Sequence, residues 1–143
     1  WPVDEICRVP GEGGREEGAR GYVTDISDAT AQINGFASVG RVIRGLGDDG
    51  HTASIFPHEM ELVEEERFCA VATQTTSGQK RVSITGPVIN NAQRVAYLVT
   101  GVNKKEKVSA IFQRQEGYHA YPAAHVQPVT GALHWFLDEA AMY

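Results

Sequence analysis

The chain has 143 residues, of which 42% are apolar and 22% charged, with a net charge of −5. That is enough for one modest α/β domain with its own core. The acidic balance argues against a nucleic-acid partner, which needs a basic face. No apolar run approaches the roughly 18 residues of a membrane span.

The opening Trp1-Pro2 is not a start, so the reading expects sequence missing upstream. Cys7 and Cys69 are too few and too far apart for a disulfide framework, which implies a reducing, cytoplasmic setting. Residues 9–21, VPGEGGREEGARG, read as a loop or a poor helix, because an interior Gly costs about 1 kcal/mol relative to Ala. Val23, Ile26, Ala29 and Ile33 give residues 22–35 a weak helical period. Val39–Leu46 reads as a short strand interrupted by Arg41 and Arg44, and an arginine in a strand buried on both faces needs a partner.

A glycine-rich loop follows, and Thr52–Phe56 has the look of a helix start. Phe68–Ala72 and Arg81–Thr85 read as strands on either side of a polar turn, and Pro87 opens a short helix. Val95–Val99 is continuously apolar, as in a strand buried on both faces. Asn103 is placed to cap the next helix, with Val108, Ile111 and Phe112 on one face. Leu133–Trp135 reads as a final strand running into a short helix near Leu137. Alternating strands and helices predict a single α/β domain over 1–143, Rossmann-like, with a largely parallel sheet flanked by helices.

Chemistry concentrates at residues 45–57, GLGDDGHTASIFP. The first six fit G-x-G-x-x-G, the pattern of a dinucleotide loop. Asp48 and Asp49 oppose that reading, because each close like-charge contact with a pyrophosphate costs on the order of 4 kcal/mol at an effective dielectric near 20. The competing reading centres on His51. At a helix N-terminus the dipole disfavours imidazolium, leaving a neutral ring that can act as general base. Asp48 or Asp49 would orient it, and the N–H groups of Gly50, His51 and Thr52 would be available for an oxyanion. The bland alternative is a capped turn in which His51 only bonds a carbonyl. His58, His119, His125 and His134 lack zinc-ligand spacing, so no metal is predicted. His134 and Asp138 read as a surface pair, and Lys104–Lys107 as a solvated helix start.

The run G-L-G-D-D-G-H-T-A-S-I-F-P resembles the signature of the 6-phosphogluconolactonases. G-Q-K-R-V-S-I-T-G-P-V-I-N-N-A, V-A-Y-L-V-T-G, Y-P-A-A-H-V-Q-P and L-H-W-F-L-D-E-A-A are similar to that family's later segments, in the same order. The related glucosamine-6-phosphate deaminases share G-H but usually continue I-A-F-N-E-P, whereas here T-A-S-I-F-P follows. The resemblance covers Gly45–Ala141 and implies the C-terminal portion of such a domain. It implies hydrolysis of 6-phosphoglucono-δ-lactone without metal or organic cofactor, His51 as base and Asp49 beside it. It also implies Arg81 beside the substrate pocket, with Lys80 as a second, weaker cation for the phosphate; Gly47, Gly50 and Thr52 of the loop complete the expected substrate site.

Overall fold

The structure, a computed structural model, describes residues 6–143. The reading of Trp1-Pro2 therefore lies outside the described residues. Helix α1 spans Arg15–Ala29, so residues that looked like a glycine-rich loop are helical from Arg15 onward. Tertiary packing overrides propensity here: a Cβ on Gly18 would lie 2.4 Å from the carbonyl oxygen of Pro10, so glycine lets the preceding segment fold back onto the helix. The helical period suggested for 22–35 stops at Ala29. Strands β1 (Ala31–Ile33) and β2 (Phe36–Ser38) form an antiparallel hairpin instead. Its turn is Asn34-Gly35, both with positive φ (56° and 82°), the type I′ geometry that matches strand twist.

Strand β3 (Val42–Arg44), β6 (Arg94–Val99) and β7 (Ala132–Leu137) make a parallel sheet in the order β3-β6-β7. Strands β4 (Cys69–Thr73) and β5 (Lys80–Ile84) form a separate antiparallel pair. Helix α2 (Gly86–Asn90) leads into β6, and α3 (Lys105–Gln113) crosses from β6 to β7. The chain is thus mixed α/β, with a parallel sheet flanked by helices.

The main core gathers Val42, Val95, Tyr97 and Val99 from one face of the sheet with Val108 of α3, Ile89 of α2 and the loop residues Ile55 and Phe56. Burial of this kind contributes roughly 25 cal/mol per Å² of apolar surface. Three expectations need correction. Val95–Val99 is buried on one face only: Val95, Tyr97 and Val99 are inside, while Leu98 is 54% exposed. Thr52–Phe56 opens no helix; Ala53 takes φ 53° and Thr52 bridges Ile55, and a 3₁₀ stretch begins only at Pro57. The last strand runs to Leu137 with no helix after it; instead Asp138 accepts the N–H groups of Gly101 and Ala141. Asp138 is therefore not paired with His134, which stacks on Phe136 across the exposed sheet face.

Arg44 lies on the buried side of β3, level with Tyr97 of β6. Burial pushes its guanidinium below the ordinary arginine value, and among the described residues its Nε has no partner.

Candidate active site

Parallel strands present their carboxyl ends to one edge of a sheet, and loops there collect ligands in open α/β folds. Strand β3 delivers the chain to that edge at Gly45. The loop then closes on itself, with Gly50 N–H donating to the Gly47 carbonyl at 3.0 Å and Gly47 N–H donating to the His51 carbonyl at 2.8 Å. Gly50 has φ 86°, and a Cβ there would sit 2.5 Å from the Tyr121 ring. The Gly50 carbonyl accepts the Ala123 N–H at 3.2 Å, so the Tyr121-Pro122-Ala123 segment clamps the loop from outside.

This turn aims Asp49 back at the next residue but one. Asp49 Oδ1 accepts the His51 backbone N–H at 3.0 Å and lies 2.6 Å from His51 Nδ1. Partial burial pushes the Asp49 carboxyl up, but the hydrogen bonds from His51 backbone and ring outweigh it and hold it below the usual carboxylate value. A carboxylate can only accept, so Nδ1 carries the proton and Nε2 of a neutral ring keeps its lone pair. The ring rests on Gly47, where a Cβ would come within 2.0 Å of Nδ1, and packs against Phe56 at 4.9 Å between centroids. His51 faces an open hollow of about 260 Å³ whose other walls are Asp48, Asp49, Phe56 and the Gln74-Thr75-Thr76 turn.

Arg81 approaches this hollow indirectly. Its Nη2 donates to Gln74 Oε1 at 2.9 Å. Along β5, Arg81 and Ser83 share a face, and Ser83 Oγ accepts the N–H of Ser54, three residues beyond His51, at 3.0 Å. Lys80 points to the other face, where Nζ donates to Thr73 Oγ1 at 2.8 Å.

With this geometry in view, the sequence profile of the family described as glucosamine-6-phosphate isomerases/6-phosphogluconolactonase matches residues 1–135. The chain belongs to this family. Among similar members, the 6-phosphogluconolactonase of Treponema pallidum is 41% identical over 108 residues, 76% of this chain and 45% of the relative. That of Homo sapiens is 37% identical over 141 residues, 98% of this chain and 54% of the relative. The chain thus spans about half the length of the curated relatives it matches. The crystal structure of the devB protein superposes with a TM-score of 0.92 at 34% identity, covering 98% of this chain and 58% of that one. A 6-phosphogluconolactonase from Leishmania guyanensis shares the fold, with a TM-score of 0.83 at 24% identity.

Within this family domain, the structure brings some of the sequence-derived site together and sets some of it apart. His51 and Asp49 meet directly. Gly47 and Gly50 act as packing positions beneath the His51 ring and against Tyr121. Thr52 is 1% exposed and donates its hydroxyl to the Gly45 carbonyl, away from the hollow. The N–H groups of Gly50 and His51, read as open donors, are engaged inside the loop. The helix-dipole argument for His51 also fails, because no helix begins there; the Asp49 carboxylate is the charge that acts on the ring.

Sequence reasoning missed the Asp48 contacts. Asp48 accepts from Asn103 Nδ2 at 2.7 Å and pairs with Lys104, whose hydrogen bond draws the carboxyl below its usual range. Asn103 therefore tethers the loop rather than capping α3, and Lys104 is not a freely solvated helix start. Phe56, Gln74, Thr75 and Tyr121 were also missed: Phe56 and Tyr121 lie within quoted runs but carry no charged side chain that marks chemistry, and Gln74 and Thr75 come from a turn distant in sequence.

Proposed function

We propose that this chain carries the water-activating centre of a 6-phosphogluconolactonase domain, acting on 6-phosphoglucono-δ-lactone in the cytoplasm. The observation that carries the reading is the 2.6 Å contact between Asp49 Oδ1 and His51 Nδ1 at the mouth of an open hollow. The carboxylate fixes the Nδ1–H tautomer, so Nε2 is the atom that takes a proton from water. The hydroxide equivalent adds to the lactone carbonyl carbon and an oxyanion forms. Collapse breaks the ring C–O bond, and the imidazolium returns its proton to the departing ring oxygen. The product is the open-chain 6-phosphogluconate, and every atom added comes from one water. Asp49 stabilises the imidazolium formed midway through the cycle.

In this reading Arg81, reached through Gln74, is the first candidate for the phosphate, because it shares the β5 face turned towards the loop. Lys80, on the opposite face, is the weaker one. Gly47, Gly50 and Thr52 then shape the loop that presents the base rather than contact the substrate. The family's printed description also includes isomerases, but the curated relatives at 36–46% identity bear the lactonase name, which supports hydrolysis. The absence of a helix after His51 removes the anion site that a dinucleotide loop requires.

Loss of a general base costs about 10²–10⁴ in rate, so His51→Ala should reduce lactone hydrolysis by that factor with substrate affinity little changed. An unchanged rate removes His51 from the mechanism. Titration calorimetry with 6-phosphogluconate, using NAD as the control ligand, should give heat only for the sugar acid.

A further inference from the structure

A second histidine stands beside the His51 hollow, and the proposed hydrolysis does not use it. His58 follows Pro57 at the start of the 3₁₀ stretch. The Phe56 ring packs against His51 at 4.9 Å and stacks on His58 at 5.8 Å between centroids, so one buried aromatic locates both imidazoles. His51 meets the hollow directly. His58 meets it through Thr75, one of the walls.

The partners of His58 set the direction of that contact. Its Nδ1 lies 3.0 Å from Thr75 Oγ1. Its Nε2 lies 3.7 Å from Glu59 Oε2, too far for a hydrogen bond but close enough for the carboxylate to favour a proton on the facing nitrogen. Glu59 is itself held in place, because both of its oxygens accept the Thr73 N–H, at 3.1 and 2.9 Å. A neutral ring with its proton on Nε2 has only a lone pair at Nδ1. The Thr75 hydroxyl must then donate to Nδ1. Its hydrogen is committed to His58, and Oγ1 keeps lone pairs alone for anything else.

An oxygen so arranged recognises a donor. A sugar hydroxyl can supply a proton to it, whereas a phosphate dianion offers only lone pairs. The neighbouring Gln74 Oε1 already accepts from Arg81 Nη2 at 2.9 Å and from Ser77 Oγ at 2.7 Å. The turn therefore presents two different chemistries, a cation at Arg81 and a hydroxyl acceptor at Thr75. We infer that Thr75 is a specificity-determining residue that accepts a hydroxyl of the sugar-acid chain, and that His58 is the positioning residue that fixes its hydrogen. The inference rests on the reading of this hollow as the lactone site, and it concerns which substrate is held there rather than how water is activated. Without His58 the Thr75 hydroxyl rotates freely, and the preference for a donor is lost.

The test is titration calorimetry of the 143-residue chain with 6-phosphogluconate and with its analogues lacking one hydroxyl each. Loss of one neutral hydrogen bond implies a roughly two- to tenfold weaker affinity for Thr75→Val, with Thr75→Ser close to the unmodified chain. One deoxy analogue should bind the unmodified chain more weakly by a similar factor and lose that disadvantage in Thr75→Val. His58→Phe should match Thr75→Val, and His58→Asn, whose amide oxygen can replace Nδ1 as acceptor, should recover most of the affinity. The imidazole ¹H–¹⁵N spectrum should show the His58 proton on Nε2. In turnover, Thr75→Val should raise KM and leave kcat nearly unchanged. Thr75-dependent binding without hydrolysis would sink the lactonase reading and leave this recognition standing. Hydrolysis with affinity and KM indifferent to Thr75→Val, an equal loss in Thr75→Ser, a His58 proton on Nδ1, or no binding of 6-phosphogluconate overturns the inference.

Discussion

Gly47→Ala isolates what holds the His51 ring in place. The Gly47 backbone is not in the left-handed region, so alanine is acceptable there on conformational grounds and the consequence is purely steric. The new Cβ would lie 2.0 Å from His51 Nδ1, 2.2 Å from Cε1 and 2.7 Å from Cγ. Ordinary carbon contacts begin near 3.5 Å, so the ring must retreat by roughly 1.5 Å. That displacement stretches the 2.6 Å contact with Asp49 beyond hydrogen-bond range. A charge-assisted bond of this sort is worth about 1.5–3 kcal/mol where it is sheltered, and less here, where the Asp49 side chain is 45% exposed.

Stability should therefore change little, whereas orientation should change greatly: misplacing a reacting group by about 1 Å can lower the rate 10²-fold. The direct assay is the long-range ¹H–¹⁵N spectrum of the imidazole, in which the Nδ1–H tautomer should dominate for the unmodified chain and lose its dominance in Gly47→Ala. Lactone hydrolysis should drop by about the same 10² factor. In a His51→Ala background the Gly47→Ala change should cost nothing further, because its effect passes through the ring. An unaltered tautomer with full turnover, or an equal loss in the His51→Ala background, would refute the reasoning.

Three other outcomes follow from the geometry. Asp49 is held below its ordinary value of 3.8, so the stability it contributes is complete above that pH and disappears as pH falls through the lowered folded-state value. The stability difference between wild type and Asp49→Asn, followed by urea denaturation, should shrink as pH is lowered below about 4. Burial pushes the Cys69 thiol up to about 11, while Cys7 is exposed, so iodoacetamide at pH 8 should label Cys7 rapidly and Cys69 only after denaturation. Peptide mass mapping would show it. A Cβ on Gly86 would meet the Val63 carbonyl oxygen at 2.0 Å, whereas one on Gly45 meets nothing within 4 Å. Gly86→Ala should thus destabilise by about 1–3 kcal/mol in thermal denaturation and Gly45→Ala by far less.

What the sequence made legible is what local chemistry decides. Val95–Val99 was readable as a strand because its apolar run has the right length, and α3 because Val108 and Ile111 recur at helical spacing. The Asn34-Gly35 dipeptide, flanked by Ile33 and Phe36, was a hairpin signal that a weak helical period concealed. Which faces those elements cover is decided by partners far along the chain. Nothing within Val95–Val99 could tell that Leu98 would face outward, since burial on each face is decided by elements far along the chain.

The same division runs through the site. Asp49 and His51 are two residues apart, so one tight turn brings carboxylate and ring together, and the sequence sufficed to suspect it. The helix imagined after His51 failed because Ala53 turns with positive φ and Thr52 spends its hydroxyl on Gly45, bending the chain towards Phe56 before any helical turn can form. The loss of that helix alters the electrostatic argument without weakening it. A helix N-terminus would have kept the imidazole neutral by repelling its proton. In the proposed mechanism Asp49 instead fixes which nitrogen holds a proton and would steady the cation once water has yielded one, which is the property a reversible base requires. Arg81 then becomes the informative neighbour, since a base positioned by Asp49 needs a substrate positioned by something else. Arg81→Ala should therefore raise KM for the phosphorylated lactone well before it lowers kcat. A change confined to kcat would place the phosphate elsewhere.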